Sequence, residues 1–172
     1  MLEPFVGSTM EIRQLKESDV ESVIEVARLS WEWTYQSIYS HEFIESWIRK
    51  KYAKHAISDQ ITRSASGQNG IFLGAFQNNK LIGFIHAVVN DSEAEIARLY
   101  FLPGFTRRGF GSELLRTAEE ILCSRGVRRA RLYVQKQNNI GIVFYRKHGY
   151  SDAGYCDYDI EMVKNFQDCH GI

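Results

Sequence analysis

The period of the hydrophobic pattern changes several times along the chain, and each change marks an element. Residues 10–15 alternate as a first strand, and Ser18 with Glu21 then has the form of a capping box. Val20, Val23, Ile24 and Ala27 recur behind it at helical spacing, so a helix starts there. An unusually aromatic stretch follows over 31–39. Ser40 can cap a helix that buries Phe43, Ile44, Trp47 and Ile48, and a further helix is predicted over 54–66, stopped by Gly67. After Gly70 the period falls to two. Strands are predicted over 71–77 and 81–89, joined across Asn78-Asn79, because asparagine tolerates the left-handed conformations that a short hairpin needs. Asn90, Asp91 and Ser92 turn the chain into a strand over 93–102, which completes an antiparallel meander.

That last strand ends at Pro103, and a glycine-containing turn opens a helix with Leu114, Leu115, Ala118, Ile121 and Leu122 on one face. Gly126 ends it, with Arg125 placed at its negative end. A strand over 129–134 is predicted parallel to the one before the loop, since a helix intervenes. Asn138 or Asn139 begins the last helix, whose core stripe is Ile140, Val143 and Phe144 and whose end is Gly149. Segments 150–156 and 158–163 can form a final hairpin. The order is α+β.

Composition sets bounds on this plan. The 172 residues with 44% hydrophobic content suit one domain over 10–165, with a leader over 1–9 and a tail over 166–172. A net charge of zero disfavours nucleic acid as a partner. No apolar run approaches the roughly 20 residues that span a bilayer, so a cytoplasmic protein without membrane partners is expected. Cys123, Cys156 and Cys169 are an odd number at unrelated spacings and are expected reduced, Cys123 as packing and Cys169 as a candidate cross-link between two chains. A homodimer is left open. No metal is predicted, because neither the cysteines nor the five histidines have ligand spacing.

The candidate chemistry starts at the loop. Gly109 and Gly111 let the backbone bend tightly and approach a ligand, and the first amides of the following helix lie at the positive end of its dipole. Arg107 and Arg108 add charge, so a phosphate-bearing guest fits. No Gly-Lys-Ser/Thr follows, which excludes a Walker A site, and the third glycine of a dinucleotide fingerprint would fall on Leu114.

The run L-Y-F-L-P-G-F-T-R-R-G-F-G-S-E-L-L over 99–115 resembles the acetyl-CoA loop of the GNAT superfamily of N-acetyltransferases, with Thr106 where Arg or Gln is usual. Downstream, N-N-I-G-I-V-F-Y-R-K-H-G-Y over 138–150 is similar to that family's N-x-x-A-x-x-F-Y-x-K-x-G-F segment, with Gly141 for the usual Ala. The amino-terminal S-W-E-W-T-Y-Q-S-I-Y-S-H-E-F-I-E-S-W-I looks most like the PaiA-type polyamine acetyltransferases. The resemblance implies a mixed central sheet whose strands part on either side of the loop and its helix. Acetyl-CoA would lie there: pantetheine along Leu99, Tyr100 and Phe101, the phosphates on Thr106, Arg107, Arg108, Gly109, Phe110, Gly111 and Ser112, with Asn138, Tyr145 and Lys147 completing the set. It implies direct acetyl transfer to a primary amine, such as spermidine or spermine, in a ternary complex.

Such a transfer needs a neutral amine, since an alkylammonium of pKa about 10.4 is no nucleophile. It also needs donors for an oxyanion, each worth roughly 3 to 4 kcal/mol, and an acid for a thiolate leaving group. Tyr145, at the edge of its helix stripe, is the candidate acid, and backbone amides of 99–101 the candidate donors. Glu95 is the candidate base, placed by simple alternation on the face of Ala97 and Leu99, with Glu93 and His86 as substitutes. Trp31, Trp33 and Tyr35 could form an apolar wall that attracts a cation, or serve as ordinary core. Glu32, Glu42, Glu45, Asp157 and Asp159 supply acid nearby, with Asp157 chosen as a substrate contact. Two alternatives stay open: a protein amino group or antibiotic amine as acceptor, and an acyl-CoA sensor without catalysis.

Overall fold

The computed structural model, which describes residues 9–166, turns the alternating segments into the strands β1 (Glu11–Gln14), β2 (Gly70–Gln77), β3 (Lys80–Asn90), β4 (Glu93–Phe101), β5 (Arg129–Gln135), β6 (Ser151–Cys156) and β7 (Asp159–Asn165). The helices are α1 (Val20–Tyr35), α2 (His41–Lys51), α3 (Lys54–Ala65), α4 (Phe110–Ser124) and α5 (Asn139–Lys147). The strands make one mixed sheet in the order β1-β2-β3-β4-β5-β7-β6, antiparallel except where β4 meets β5. Helices α1 and α3 pack on one face and α4 on the other.

Alternation along β2 builds both cores. Ile71, Leu73 and Ala75 join Leu114, Leu115, Ala118 and Leu122 of α4, while Phe72 and Phe76 join Val23, Ala27, Ile57 and Ile61 on the opposite face. The Asn78-Asn79 turn has φ of 51° and 62°, as a tight hairpin requires. At the first helix the cap differs from expectation. The Asp19 carboxylate accepts from the Lys16 amide at 2.8 Å and pairs with Arg13 at 2.8 Å, which fixes a short 3-10 turn ahead of α1. Burial works against the charge on Asp19, yet the Arg13 and Lys16 bonds outweigh it and hold that carboxyl below its ordinary range.

Five further expectations are corrected. Helix α1 runs unbroken to Tyr35, so residues 31–35 of the aromatic stretch end a helix and 36–39 form the turn after it. Phe43 is exposed, while Ile44 and Ile48 of α2 are buried and Trp47 packs partly against the same core. On α5 the buried residue is Ile142, while Ile140 and Val143 are 50% and 64% exposed. Cys156 is a free exposed thiol, but Cys123 is disulfide-bonded rather than reduced. Phe166, expected in the tail, is tied through its amide to the Arg128 carbonyl at 2.8 Å. Cys169 and the rest of the leader and tail lie outside the described residues. Among the described residues no helix is long and apolar enough to cross a membrane.

Candidate active site

A groove opens where β4 and β5 part. The two strands pair only from Glu93 to Glu95 against Arg129 to Arg131, and beyond that point the β5 side of residues 96–101 has no strand partner. A bulge starts the divergence: His86 opposes Arg98 and Ala87 opposes Ile96, so Ala97 is an extra residue that bends β4. The resulting cavity has a volume of about 990 Å³. Leu99, Tyr100 and Phe101 form one wall, Tyr133 and Val134 another, and the end of α1 closes a third with Trp33 and Tyr35.

The loop between β4 and α4 forms the floor of one end. The Thr106 hydroxyl donates to the Pro103 carbonyl at 3.1 Å and closes the turn, while the residue itself lines the cavity. Arg107 at φ 59° and Gly109 at φ 82° take left-handed conformations that deliver the chain into α4. No side chain caps that helix, so its first amides are left for an anion. Gly111 differs from Gly109 in having an ordinary helical backbone. A β-carbon there would meet Phe144 at 3.5 Å, an ordinary contact, so the fold itself does not demand glycine at this position. Arg107, Lys147 and His148 face this end, and the exposed Ile140 and Val143 extend it as an apolar bank. A cradle for diphosphate joined to a strand edge and an apolar bank fits coenzyme A in each part.

Helix α5 begins at an Asn138 cap, whose Oδ1 accepts from the Gly141 amide at 3.0 Å. About two turns later Tyr145 reaches the cavity. Burial pushes its phenol far above the ordinary value, and neighbouring Tyr100 and Tyr35 add to that, so it keeps its proton at neutral pH.

Several sequence-predicted residues lie outside this cavity. Arg108 sits over the rings of Phe105 and Phe110 at 5.6 and 5.2 Å, and neither it nor Phe110 is part of the wall. Trp31 lies behind the wall, 4.5 Å from Tyr35 and 5.4 Å from Trp47 by ring centroid. Asp157 is in the β6–β7 turn, where its carbonyl accepts from Lys136 at 2.7 Å. Glu95 also differs. The bulge at Ala97 shifts the alternation, so Glu95 shares a face with Arg98 and Tyr100, opposite Leu99. Its carboxylate is 3.9 Å from Arg131, and among the described residues the cavity wall includes no Asp or Glu. Arg98, Tyr133, Ile140, Val143 and His148 were missed. Tyr133 was within reach of strand alternation, which opposes it to Leu132 and Val134.

The comparisons with known proteins agree with this geometry. A family model described as the acetyltransferase (GNAT) family matches residues 24–150. A spermidine N(1)-acetyltransferase of Thermoplasma acidophilum is 45% identical over 159 residues, covering 92% of this chain and 99% of that protein. The crystal structure of the PaiA N-acetyltransferase of the same organism in complex with coenzyme A superposes with a TM-score of 0.91 at 45% identity, again over 92% and 99% of the two chains. A GCN5-related N-acetyltransferase of Rhodopseudomonas palustris shares the fold, with a TM-score of 0.73 at 21% identity over 94% and 99%. With its parted strands, its uncapped α4 and the match over most of its length, the chain belongs to the GNAT family of acetyltransferases.

Proposed function

We propose that the chain transfers the acetyl group of acetyl-CoA to a primary amine of a polyamine, spermidine being the first candidate. The observation that supports this most is the single groove that has a phosphate cradle at one end and the buried hydroxyl of Tyr145 along its wall. Its 45% identical relative bears the name of a spermidine acetyltransferase.

In this reading the uncapped amides of α4, with Arg107 and Lys147, bind the diphosphate, and Leu99, Tyr100 and Phe101 offer backbone to the pantetheine arm. Bound acetyl-CoA supplies the activated acetyl group. Tyr145 holds the proton that the departing sulfur needs, and Trp33 and Tyr35 present ring faces to the methylenes and charge of the acceptor. Without a carboxylate among the described residues of the wall, the acceptor enters as the free amine. The neutral net charge of the chain supports a small-molecule partner over nucleic acid.

Thiol release from acetyl-CoA over a panel of spermidine, spermine, an amino-terminal peptide and an aminoglycoside tests this. The expected result is turnover fastest with the polyamines. Binding of acetyl-CoA with no turnover on any amine would instead support a sensor.

A further inference from the structure

Tyr35 and Asn138 stand 103 positions apart in the chain and meet in the cavity wall, the Asn138 Nδ2 lying 3.4 Å from the Tyr35 hydroxyl. The direction of this bond is settled locally. Asn138 Oδ1 already accepts from the Gly141 amide at 3.0 Å, which turns Nδ2 toward Tyr35. An amide nitrogen only donates, so the Tyr35 oxygen is the acceptor and its own proton points elsewhere. Among the described residues no protein group accepts that proton, although Tyr35 is only 8% exposed. A buried hydroxyl with an uncommitted proton in the wall of a reaction cavity has the form of a donor awaiting an acceptor.

The arrangement depends on residue 141. A β-carbon on Gly141 would stand 2.9 Å from Asn138 Nδ2 and 3.1 Å from its Cγ, so an alanine there would push the carboxamide out of its present place. This is the position at which the chain has glycine where the motif it resembles has alanine. The glycine therefore makes room for a side chain that both caps the helix of Tyr145 and fixes the hydroxyl of Tyr35.

We propose that Tyr35 is a second catalytic hydroxyl, donating its hydrogen bond to the coenzyme A sulfur beside Tyr145, and that Asn138 is the positioning residue that directs it. The inference rests on the acetyltransferase reading. As the amine nitrogen bonds to the acetyl carbon, the carbon–sulfur bond breaks with its electron pair going to sulfur. Tyr145 supplies the proton that sulfur gains, the extra proton of the amine leaves to solvent, and Tyr145 regains a proton from solvent before the next turnover. Tyr35 keeps its proton throughout and lowers the energy of the sulfur while it is negative.

The test titrates the thiol of bound coenzyme A by the ultraviolet absorbance of the thiolate, alongside acetyl transfer. Three variants are compared with the unaltered chain: Tyr35→Phe, Asn138→Asp and the two together. Aspartate caps a helix as well as asparagine, but its carboxylate accepts the Tyr35 proton and turns it away from the cavity. Each single variant is expected to raise the bound thiol pKa by about one unit and lower kcat about 10- to 100-fold, with KM for acetyl-CoA nearly unchanged. The double variant should be no worse than either single one. An unchanged thiol pKa and kcat in Tyr35→Phe would overturn the proposal, as would an Asn138→Asp protein that titrates and turns over like the unaltered chain. The thiol titration uses no amine, so a failure to acetylate polyamines would remove the substrate reading and leave this result standing.

Discussion

A β-carbon built on Gly111 would stand 3.5 Å from the ring of Phe144, so the folded chain has room for alanine at that position. Helix propensity even favours it, by up to about 1 kcal/mol. The acetyl-CoA loop that this run resembles takes glycine or alanine at this position, so the first amides of α4 stay open to a phosphate with either residue. Gly111→Ala is therefore expected to keep or raise the melting temperature and to leave coenzyme A binding within about threefold, measured by calorimetry. A matched loss of stability and affinity would contradict the assignment.

Gly109 behaves in the opposite sense. Its φ of 82° is left-handed, and a side chain there is strained although no atom lies within 4 Å of its would-be β-carbon. Gly109→Ala should lose about 1 kcal/mol of stability in a urea titration.

Tyr145 and Glu95 separate the acid from the expected base. Tyr145→Phe removes the proton source and nothing else in the wall, so kcat should drop about 10²- to 10⁴-fold with coenzyme A affinity retained. Glu95 is half-exposed and leans on Arg131, outside the cavity, so Glu95→Gln should cost less than about tenfold in kcat/KM. A larger loss in Glu95→Gln than in Tyr145→Phe would reverse the two roles.

His86 makes the fold sensitive to acid. It is buried against Phe72, 4.5 Å between rings, with Nδ1 unpartnered, and burial together with nearby Arg98 pushes its pKa down to about 3. The unfolded chain takes up that proton near pH 6.5, and the folded chain refuses it until about pH 3. Stability should therefore fall as pH drops through this window, by up to about 1.4 kcal/mol per pH unit from this residue. His86→Phe should show a flatter decline between pH 6 and 4 in denaturant titrations, and parallel curves would contradict the account.

Local signals in the sequence were the most legible. The Asn78-Asn79 turn, the strand-to-helix loop at Gly109 and the Asn138 cap are each settled by a few neighbouring residues, and each appears where the pattern places it. The parting of β4 and β5 was legible only through resemblance to a family. Misreadings arose where tertiary context overrides a pattern. Ile140 and Val143 read as core because apolar spacing does not distinguish a side chain facing protein from one facing a ligand groove. The face of Glu95 was lost to one extra residue, Ala97, since a bulge leaves no trace in alternation. The bridge from Asn138 to Tyr35 joins distant segments, and nothing near either residue announces the other.

The most direct test of the central claim is the mass of spermidine after incubation with the purified chain and isotopically labelled acetyl-CoA. One labelled acetyl group on a primary amine of spermidine, formed far more slowly by Tyr145→Phe, is the predicted result. Recovery of unmodified spermidine with the labelled thioester intact, from protein that binds coenzyme A, would contradict it.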